Sequence, residues 1–394
     1  MWNTLLVAAS LVAGDPVDLQ AADLALPAGD SGLWPDLVSL GGERVALSWI
    51  RSDGESTSLS CSILDADGWS EPAAIAAGSD WFVNWADTPI LGASRDGTLS
   101  ATWLQRNGES TYAYGVRHAR SSDADSGEAW SSPEWLHTDR SASEHGFVSL
   151  APLPTSGYAA VWLDGRNTLE GGAMALYTRT LAADGALGAE RALDERVCDC
   201  CQTAAVALDD GRLVVAYRDR SREEVRDIAV VRGVPGRPES WSAPKVVHAD
   251  RWTTPGCPVN GPALASHGEH VALVWFTMGA FESPAVQFAL STDGGATFGM
   301  PRRVDDGDPH GNVDVVWSEA LGLCVSWLER VEDGYEWRVR ALGSELDAGD
   351  SVTLGRVDQP RRTGFLRMAA AGSSIVAAWT DPERGVRVAR VRSE

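Results

Sequence analysis

The sequence predicts an all-β chain that folds as one seven-bladed β-propeller, with six blades as the alternative if one repeat is degenerate. Three observations lead to this prediction: a strand phrase that recurs seven times, four short strands in each repeat, and an N-terminal strand that can complete the last repeat. With 394 residues, 44% of them apolar, the chain is long enough to bury a large core.

The recurring phrase is a short apolar strand that ends in an aromatic residue. It is written RVALSW, TLSATW, GYAAVW, RLVVAY, HVALVW, GLCVSW and SIVAAW. The final aromatics follow one another at steps of 52 to 59 residues, and they are Trp49, Trp103, Trp162, Tyr217, Trp275, Trp327 and Trp379. A fixed period near 50 residues is typical of solenoids, propellers and arrays. We expect these aromatics to fill the wedges between neighbouring blades.

Each repeat also contains further short strands around the phrase. In the first repeat, "DLVSL" precedes the phrase, "TSLSCSIL" follows it, and "PAAIA" ends the repeat. Four short antiparallel strands joined by polar turns describe a propeller blade. The last repeat ends after three strands, at "VRVARVRS". The segment "VDLQAADLAL", residues 17–26, can supply the fourth strand and so close the ring.

The N-terminal segment, the cysteine content and the net charge bear on location and partners. Residues 1–14 are signal-like, because the apolar run from Leu5 to Ala13 is too short to span a bilayer, although a basic n-region is missing and an ordinary first segment is the alternative. Six cysteines suit an oxidising compartment. We therefore expect a secreted or periplasmic monomer without a membrane span, with residues 15–394 as one domain. The net charge of −22 argues against nucleic acid and anionic membranes as partners.

One motif connects the repeat to a known family. "STDGGATF", residues 291–298, matches the Asp-box pattern Ser-x-Asp-x-Gly-x-Thr-Phe, and weaker echoes are "LDADGW" at 64–69 and "SSDADSGEAW" at 121–130. The sequence thus resembles the sialidase, or BNR-repeat, superfamily over nearly its whole length. The resemblance implies that the box is structural: its Asp caps a tight turn between the third and fourth strands, and its aromatic packs into the blade.

The residues of a working sialidase are not matched. The resemblance implies three arginines that clamp a carboxylate, a Tyr–Glu nucleophile pair and an Asp acid/base. The sequence has Trp34, in "GLWPDL", where the first arginine would stand, and its last tyrosine is Tyr335. Asp87, in "NWADTP", remains a candidate acid/base for a divergent carbohydrate-active enzyme. The arginines that could replace the clamp are Arg218, Arg226 and Arg361.

The stretch "ERVCDCCQT" places three thiols just before an inner strand, where a propeller opens to its central channel. Equivalent positions in three consecutive blades carry Cys201, Cys257 and His310. Thiolate and imidazole together suit copper or zinc. We therefore predict a metal site at the channel mouth, and its candidate ligands are Cys198, Cys200, Cys201, Cys257, His310 and His145.

Disulfides are the alternative interpretation of the same cysteines. Cys198 or Cys200 could bridge to Cys257 in the next blade, or Cys200 and Cys201 could form a vicinal bridge. Three functions follow: a propeller with a metal site for binding or metal-assisted chemistry, a glycoside hydrolase or polysaccharide lyase, or a disulfide-stapled interaction scaffold. The partner would be a small molecule, glycan or peptide. The predicted ligand rim is Trp34, Trp85, Asp87, Asn260 and Arg361.

Overall fold

The computed structural model describes residues 17–26, 32–121, 123, 127, 129–279, 283–343 and 347–394. These residues form seven antiparallel sheets arranged in a ring, and each sheet is one blade. The sheets confirm the predicted all-β propeller with seven blades and exclude the six-bladed alternative. Residues 1–14, the signal-like segment, lie outside the described residues. Within the part of the chain that is described, no helix is long and apolar enough to cross a bilayer.

The first half of the ring starts from a strand that belongs to the last blade. This strand is β1 (Leu19–Leu24). Blade 1 contains β2 (Leu33–Gly41), β3 (Arg44–Ser52), β4 (Thr57–Asp65), the two-residue β5 (Gly68–Trp69) and β6 (Ala73–Gly78). Blade 2 contains β7 (Ile90–Ala93), β8 (Leu99–Arg106), β9 (Tyr114–Ser121) and β10 (Glu134–Trp135). Blade 3 contains β11 (His145–Pro152), β12 (Tyr158–Asp164), β13 (Ala175–Leu181) and β14 (Arg191–Asp194).

The second half repeats the same plan. Blade 4 contains β15 (Ala204–Ala207), β16 (Leu213–Arg218), β17 (Ile228–Gly233) and β18 (Lys245–Val246). Blade 5 contains β19 (Ala263–His267), β20 (His270–Thr277), β21 (Ala285–Ser291) and β22 (Arg302–Arg303). Blade 6 contains β23 (Pro309–Ser318), β24 (Gly322–Val331), β25 (Gly334–Leu342) and β26 (Val352–Val357). Blade 7 contains β27 (Arg367–Ala371), β28 (Ser374–Asp381) and β29 (Gly385–Ser393).

Among the described residues, helices are confined to single turns in the connecting segments. Two are 3₁₀-helices, at Thr168–Glu170 and Pro238–Ser240, and the third is the α-helix α1 (Pro360–Thr363), just before blade 7. The innermost strands β2, β7, β11, β15, β19, β23 and β27 contact their neighbours all the way around the ring. The beginnings of these seven strands therefore share one face of the propeller, which we call the mouth.

The N-terminal strand closes the ring as the sequence predicts. β1 pairs antiparallel with β29, with Leu19 opposite Ser393 and Leu24 opposite Val388. The Leu19 side chain is buried in the apolar cluster between blades 6 and 7. Because β1 covers the outer edge of β29, blade 7 contains four paired strands like the other blades.

The core lies between the blades. Seven apolar clusters are present, and each lies mainly between two neighbouring blades. The seven aromatics that end the repeated phrase are all at most 3% exposed, which confirms their predicted packing role. Large rings fit there because twisted sheets diverge from one another towards the rim. Cys61 and Cys324 are also buried in these clusters.

The Asp box forms the expected turn between β21 and β22 in blade 5. The Asp293 carboxylate accepts hydrogen bonds from the Thr297 backbone N–H at 2.9 Å and the Thr297 hydroxyl at 2.6 Å. The Ser291 hydroxyl accepts the Gly295 N–H at 2.9 Å. Phe298 packs against the core between blades 4 and 5. These bonds, led by that of the Thr297 hydroxyl, lower the pKa of Asp293 to about 2.

Candidate functional site

Two residues of the predicted ligand rim instead connect neighbouring blades. Asn260, just before blade 5, accepts the Asn312 backbone N–H of blade 6 at 2.7 Å and donates to the His310 carbonyl at 3.2 Å. Asp87, just before blade 2, accepts the Phe147 N–H of blade 3 at 2.8 Å. Both side chains are buried. Burial also raises the pKa of Asp87 well above its usual value. Asp87 and Asn260 therefore act as latches, by which we mean side chains that hold the backbone of a neighbouring blade in place.

The latches depend on an unusual backbone conformation at the beginning of the inner strands. Phe147 and Asn312 have φ angles of 52° and 53°, and Trp34 has a φ of 50°. In each case the backbone N–H points to a side chain of a neighbouring blade; for Trp34 this is the Thr380 hydroxyl of blade 7, at 2.7 Å. The same local device thus recurs in blades 1, 3 and 6 and holds the mouth together.

A cleft at the mouth brings together the other three predicted rim residues, Trp34, Trp85 and Arg361. Its volume is about 460 Å³. We call it the aromatic–arginine cleft, and its principal lining residues are Trp34, Phe82, Trp85, Tyr112, Arg361 and Arg362. These residues come from blades 1, 2 and 7. Gly364, with a φ of 64°, approaches Trp34 so closely that a Cβ there would lie 2.9 Å from the indole ring.

The arginines of the cleft are exposed and available. Arg361 and Arg362 lie on α1, and among the described residues neither guanidinium has an ion-pair partner.

Burial, and then the charges of Arg330 and Arg361, lower the pKa of His310. His310 is therefore close to the cationic side of the mouth. Its ring contacts the edge of Tyr335 with centroids 5.1 Å apart.

A carboxyl group that the sequence did not single out is connected to the cleft wall through Tyr114 and Phe82. Glu144, just before blade 3, accepts a hydrogen bond from the Tyr114 hydroxyl. The Tyr114 ring stacks on Phe82 of the cleft, with centroids 4.0 Å apart. Burial raises the pKa of Glu144 to about 7, and the Asp199 charge contributes to this shift. Glu144 can therefore exist in both protonation states near neutral pH.

The thiol cluster lies on the opposite side of the mouth. We define it as Cys198, Cys200 and Cys201 before blade 4 together with Cys257 before blade 5. The Cys198 Sγ lies 3.2 Å from the Cys201 Sγ and 3.9 Å from the Cys200 Sγ. The Cys200 Sγ also lies within 4.8 Å of the Cys257 Sγ and of an Asp199 carboxylate oxygen. All six cysteines of the chain are free thiols in the structure.

The two predicted histidine ligands do not join this cluster. His145 is fully buried and stacks on His137, with centroids 4.0 Å apart. Its Nε2 lies 3.0 Å from Asp139 and 3.5 Å from Asp164. The His310 ring faces Tyr335. Among the described residues, the groups that could hold a metal ion contain only cysteines and Asp199. Equal spacing along the repeats aligned these positions in sequence, but the side chains point in different directions.

The arginines of "YRDRSREEVRDI" have separate roles. Arg218 is buried and donates to the carbonyls of Asn260, Arg226 and Phe276 at 2.6–2.9 Å, so it is a structural residue. Arg226 instead reaches the thiol cluster: its Nη1 lies 3.1 Å from the Cys198 Sγ. Hydrogen bonding with the Cys200 and Cys201 sulfurs, and more weakly the Arg218 charge, lowers the pKa of Cys198 well below its usual value.

Several residues of the site were missed by sequence reasoning. Tyr112, Arg362, Tyr114 and Glu144 were not predicted. Tyr112 is 61% exposed although it is aromatic, and a tyrosine-rich loop, "STYAYG", was the available signal. Glu144 directly precedes His145, the residue of this loop that the sequence analysis proposed as a metal ligand. Nothing in the local pattern distinguishes the two.

Comparisons with known proteins identify the fold. No protein-family model and no curated protein matches the sequence. Among solved structures, a polysaccharide lyase superposes with a TM-score of 0.54 at 9% identity, over 93% of this chain and 91% of that one. A Hadza microbial sialidase gives a TM-score of 0.54 at 11% identity, over 89% and 76%. The β-propeller domain of the Trilobed protease from Pyrococcus furiosus gives 0.50 at 12%, over 91% and 95%.

At these identities the likeness shows the fold alone. The predicted resemblance to sialidase-like propellers is confirmed at that level, because the superpositions extend over most of each chain. Activity has to be argued from the residues at the mouth, since one fold can host many functions.

Proposed function

We propose that this chain is a carbohydrate-active propeller that binds a carboxylate-bearing glycan in the aromatic–arginine cleft. One observation carries the proposal: Trp34, Trp85 and Tyr112 line the same cleft as Arg361 and Arg362. The flat faces of aromatic rings bury the apolar C–H faces of sugars, while a guanidinium binds a carboxylate through paired hydrogen bonds. A cleft lined mainly by apolar and aromatic side chains, with a few charged groups, is the usual composition of a ligand site.

The overall negative charge does not oppose this proposal. At physiological ionic strength, exposed charges separated by more than about 8 Å are largely screened. A sugar carboxylate in the cleft therefore interacts mainly with Arg361 and Arg362, rather than with the net charge of −22. A long polyanion such as nucleic acid would instead extend over the acidic surface and contact its charges at short range, where screening is weak, so it remains disfavoured as a partner.

Glu144 is the titratable group that we propose to influence chemistry in the cleft, because it is connected to the cleft wall through Tyr114 and Phe82. Its pKa of about 7 makes it both a competent acid and a competent base near neutral pH. The Tyr114 hydroxyl orients it, and Tyr114 in turn packs on Phe82 in the wall of the cleft. Asp87, the sequence-based candidate, is held by the Phe147 N–H inside the fold. Proteins that share this fold include a polysaccharide lyase and a sialidase, which agrees with a carbohydrate-related function.

The proposal is tested by calorimetric titration with uronate- and sialate-containing oligosaccharides and with the same glycans after reduction of their carboxyl groups. We expect binding of at least one acidic glycan and at least tenfold weaker binding of its reduced form. Arg361→Ala should weaken the acidic glycan about 10- to 100-fold, as expected for a lost charged hydrogen bond, and should not affect the reduced form.

Arg237→Ala is the matched control, because Arg237 is also exposed but lies in the turn between β17 and β18. It should leave both affinities unchanged. Equal affinity for the acidic and reduced glycans, or no binding across the panel, would overturn the proposal. Turnover of a bound glycan should be lost in Glu144→Gln while its binding is retained.

A further inference from the structure

We infer that the thiol cluster binds one thiophilic metal ion, either Zn(II) or Cu(I), between blades 4 and 5. This site lies apart from the aromatic–arginine cleft, and its chemistry does not depend on a glycan. Three ligands, Cys198, Cys200 and Cys201, come from the loop that leads into β15, and the fourth, Cys257, comes from the loop that leads into β19. A bound ion would therefore join two blades at the mouth.

The sulfur positions fit a metal centre. Zinc binds thiolates at about 2.3 Å, and tetrahedral angles then place the sulfurs about 3.8 Å apart. The Cys198–Cys200 separation of 3.9 Å already matches this value, and the Cys198–Cys201 separation of 3.2 Å needs to open by about half an ångström. The Cys257 Sγ lies within 4.8 Å of the Cys200 Sγ but is not grouped with Cys198 and Cys201, so Cys257 has to move towards these two sulfurs to become the fourth ligand.

The scaffold beneath the sulfurs is fixed before any ion binds. The Cys198 N–H donates to the Arg218 carbonyl at 2.9 Å, and the preceding Val197 N–H donates to the Met174 carbonyl at 2.9 Å. Cys198 and Cys201 are 1% and 2% exposed. Cys198 is therefore buried and anchored and Cys201 is buried, while Cys257 is exposed and can close over the ion.

The charge around the cluster is suited to thiolates. Three or four thiolates around Zn(II) or Cu(I) carry net negative charge, which is costly to bury without a cation. Arg226 is only 3% exposed, and its Nη1 lies 3.1 Å from the Cys198 Sγ and 3.5 Å from Asp199. Its Nη2 is 2.9 Å from Glu224, so the Nη1 edge is the one that faces sulfur. A neutral thiol would be a poor acceptor for this buried guanidinium.

Two disulfides, Cys198–Cys201 and Cys200–Cys257, are the competing arrangement. A disulfide requires sulfurs about 2.05 Å apart, so even the closer pair would have to shorten by more than 1 Å. Pairing would also leave Arg226 facing neutral sulfur. The Cys200 sulfur lies close to the sulfurs of both Cys198 and Cys257. One disulfide would use Cys200 for only one of these neighbours, whereas one shared ion can use all three sulfurs.

The test begins with the full chain, purified under reducing conditions without chelator and reconstituted anaerobically with Zn(II) or with Cu(I). Elemental analysis should find about one ion per chain. Competition between the two metals then shows which one the cluster binds more tightly. Substitution with Co(II) should give a thiolate-to-cobalt charge-transfer band, which reports sulfur ligation independently of activity. Cys198→Ser and Cys201→Ser should abolish the band, whereas the matched controls Cys61→Ser and Cys324→Ser should retain it.

Two further variants guard against simple misfolding. Cys257→Ser alters an exposed residue, so it should fold normally and still weaken metal affinity at least tenfold. Arg226→Gln should weaken it about 10- to 100-fold, as is typical when a group that supports a metal ligand is lost. The inference is overturned if the reduced chain takes up no metal, or if Cys257→Ser and Cys198→Ser bind metal as tightly as the natural chain.

Discussion

Asn260→Ala is the substitution that most directly separates a structural latch from a ligand-binding residue. In the folded chain, the Asn260 side chain accepts the Asn312 N–H at 2.7 Å and donates to the His310 carbonyl at 3.2 Å. Both partners belong to blade 6, whereas Asn260 precedes blade 5. Alanine leaves both backbone groups without this partner and removes a direct polar link between the two blades.

The expected cost follows from the burial of these groups. A buried donor or acceptor that loses its partner costs about 1–3 kcal/mol. Asn312 is 2% exposed, so its N–H should incur most of this cost, while the His310 carbonyl is less buried and should contribute less. We therefore expect Asn260→Ala to lower the free energy of unfolding by about 2–4 kcal/mol. With a urea m-value of about 3 kcal/mol/M, the midpoint should fall by about 1 M.

The assay is equilibrium urea unfolding followed by tryptophan fluorescence, with glycan titration of the folded variant beside it. Asn167→Ala is the matched control, because Asn167 is exposed and its side chain makes no capping hydrogen bond. That control should change stability by less than about 0.5 kcal/mol. A similarly small loss for Asn260→Ala, or a large loss of glycan affinity without loss of stability, would refute the latch and restore Asn260 to the ligand rim.

Three other predictions concern the ring, the Asp box and the carboxyl group at the mouth. Deleting residues 1–26 removes β1 and should lower the thermal midpoint, whereas deleting residues 1–16 keeps β1; equal midpoints would contradict closure by this strand. The pKa of Asp293, lowered from 3.8 to about 2, means that its stabilisation is present above pH 3.8 and lost as the pH falls through 2. Asp293→Ala should therefore differ from the natural chain in thermal midpoint at pH 6 but converge with it near pH 2. The pKa of Glu144, raised from 4.5 to about 7, means that its contribution to stability is full below pH 4.5 and is lost as the pH rises through 7. Glu144→Gln should make the thermal midpoint less dependent on pH between 4.5 and 7. An unchanged pH dependence would show that Glu144 titrates normally.

The sequence by itself determined the architecture. Seven strand phrases with buried final aromatics predicted seven blades, and the incomplete last repeat predicted that β1 would pair with β29. The resemblance carried by the Asp box predicted a turn capped by its Asp, and the structure shows that Asp293 caps it by accepting bonds from Thr297. These features could be predicted because strand pairing, turn chemistry and apolar alternation are local and periodic, so each repeat carries its own information.

The sequence also located the mouth but did not determine the contacts within it. The candidate residues from the segments that begin blades 1, 2, 4, 5 and 7 lie at this mouth. Asp87 and Asn260 were nevertheless assigned to the ligand rim, and the structure shows both bonded to the next blade. A polar residue in such a loop has the same sequence signature whether it faces a ligand or a neighbouring backbone amide.

Only the tertiary structure decided which side chains meet across blades. It packs His145 against His137 and His310 against Tyr335, away from the cysteines. It brings the Cys257 sulfur close to that of Cys200, Arg226 to Cys198, and Glu144 to Tyr114. These partners are 28 to 57 residues apart, and their convergence depends on the path of irregular loops and on single left-handed residues such as Phe147. Periodicity fixes where a loop begins on the ring, but the direction of each side chain is decided by the packing of neighbouring blades against it.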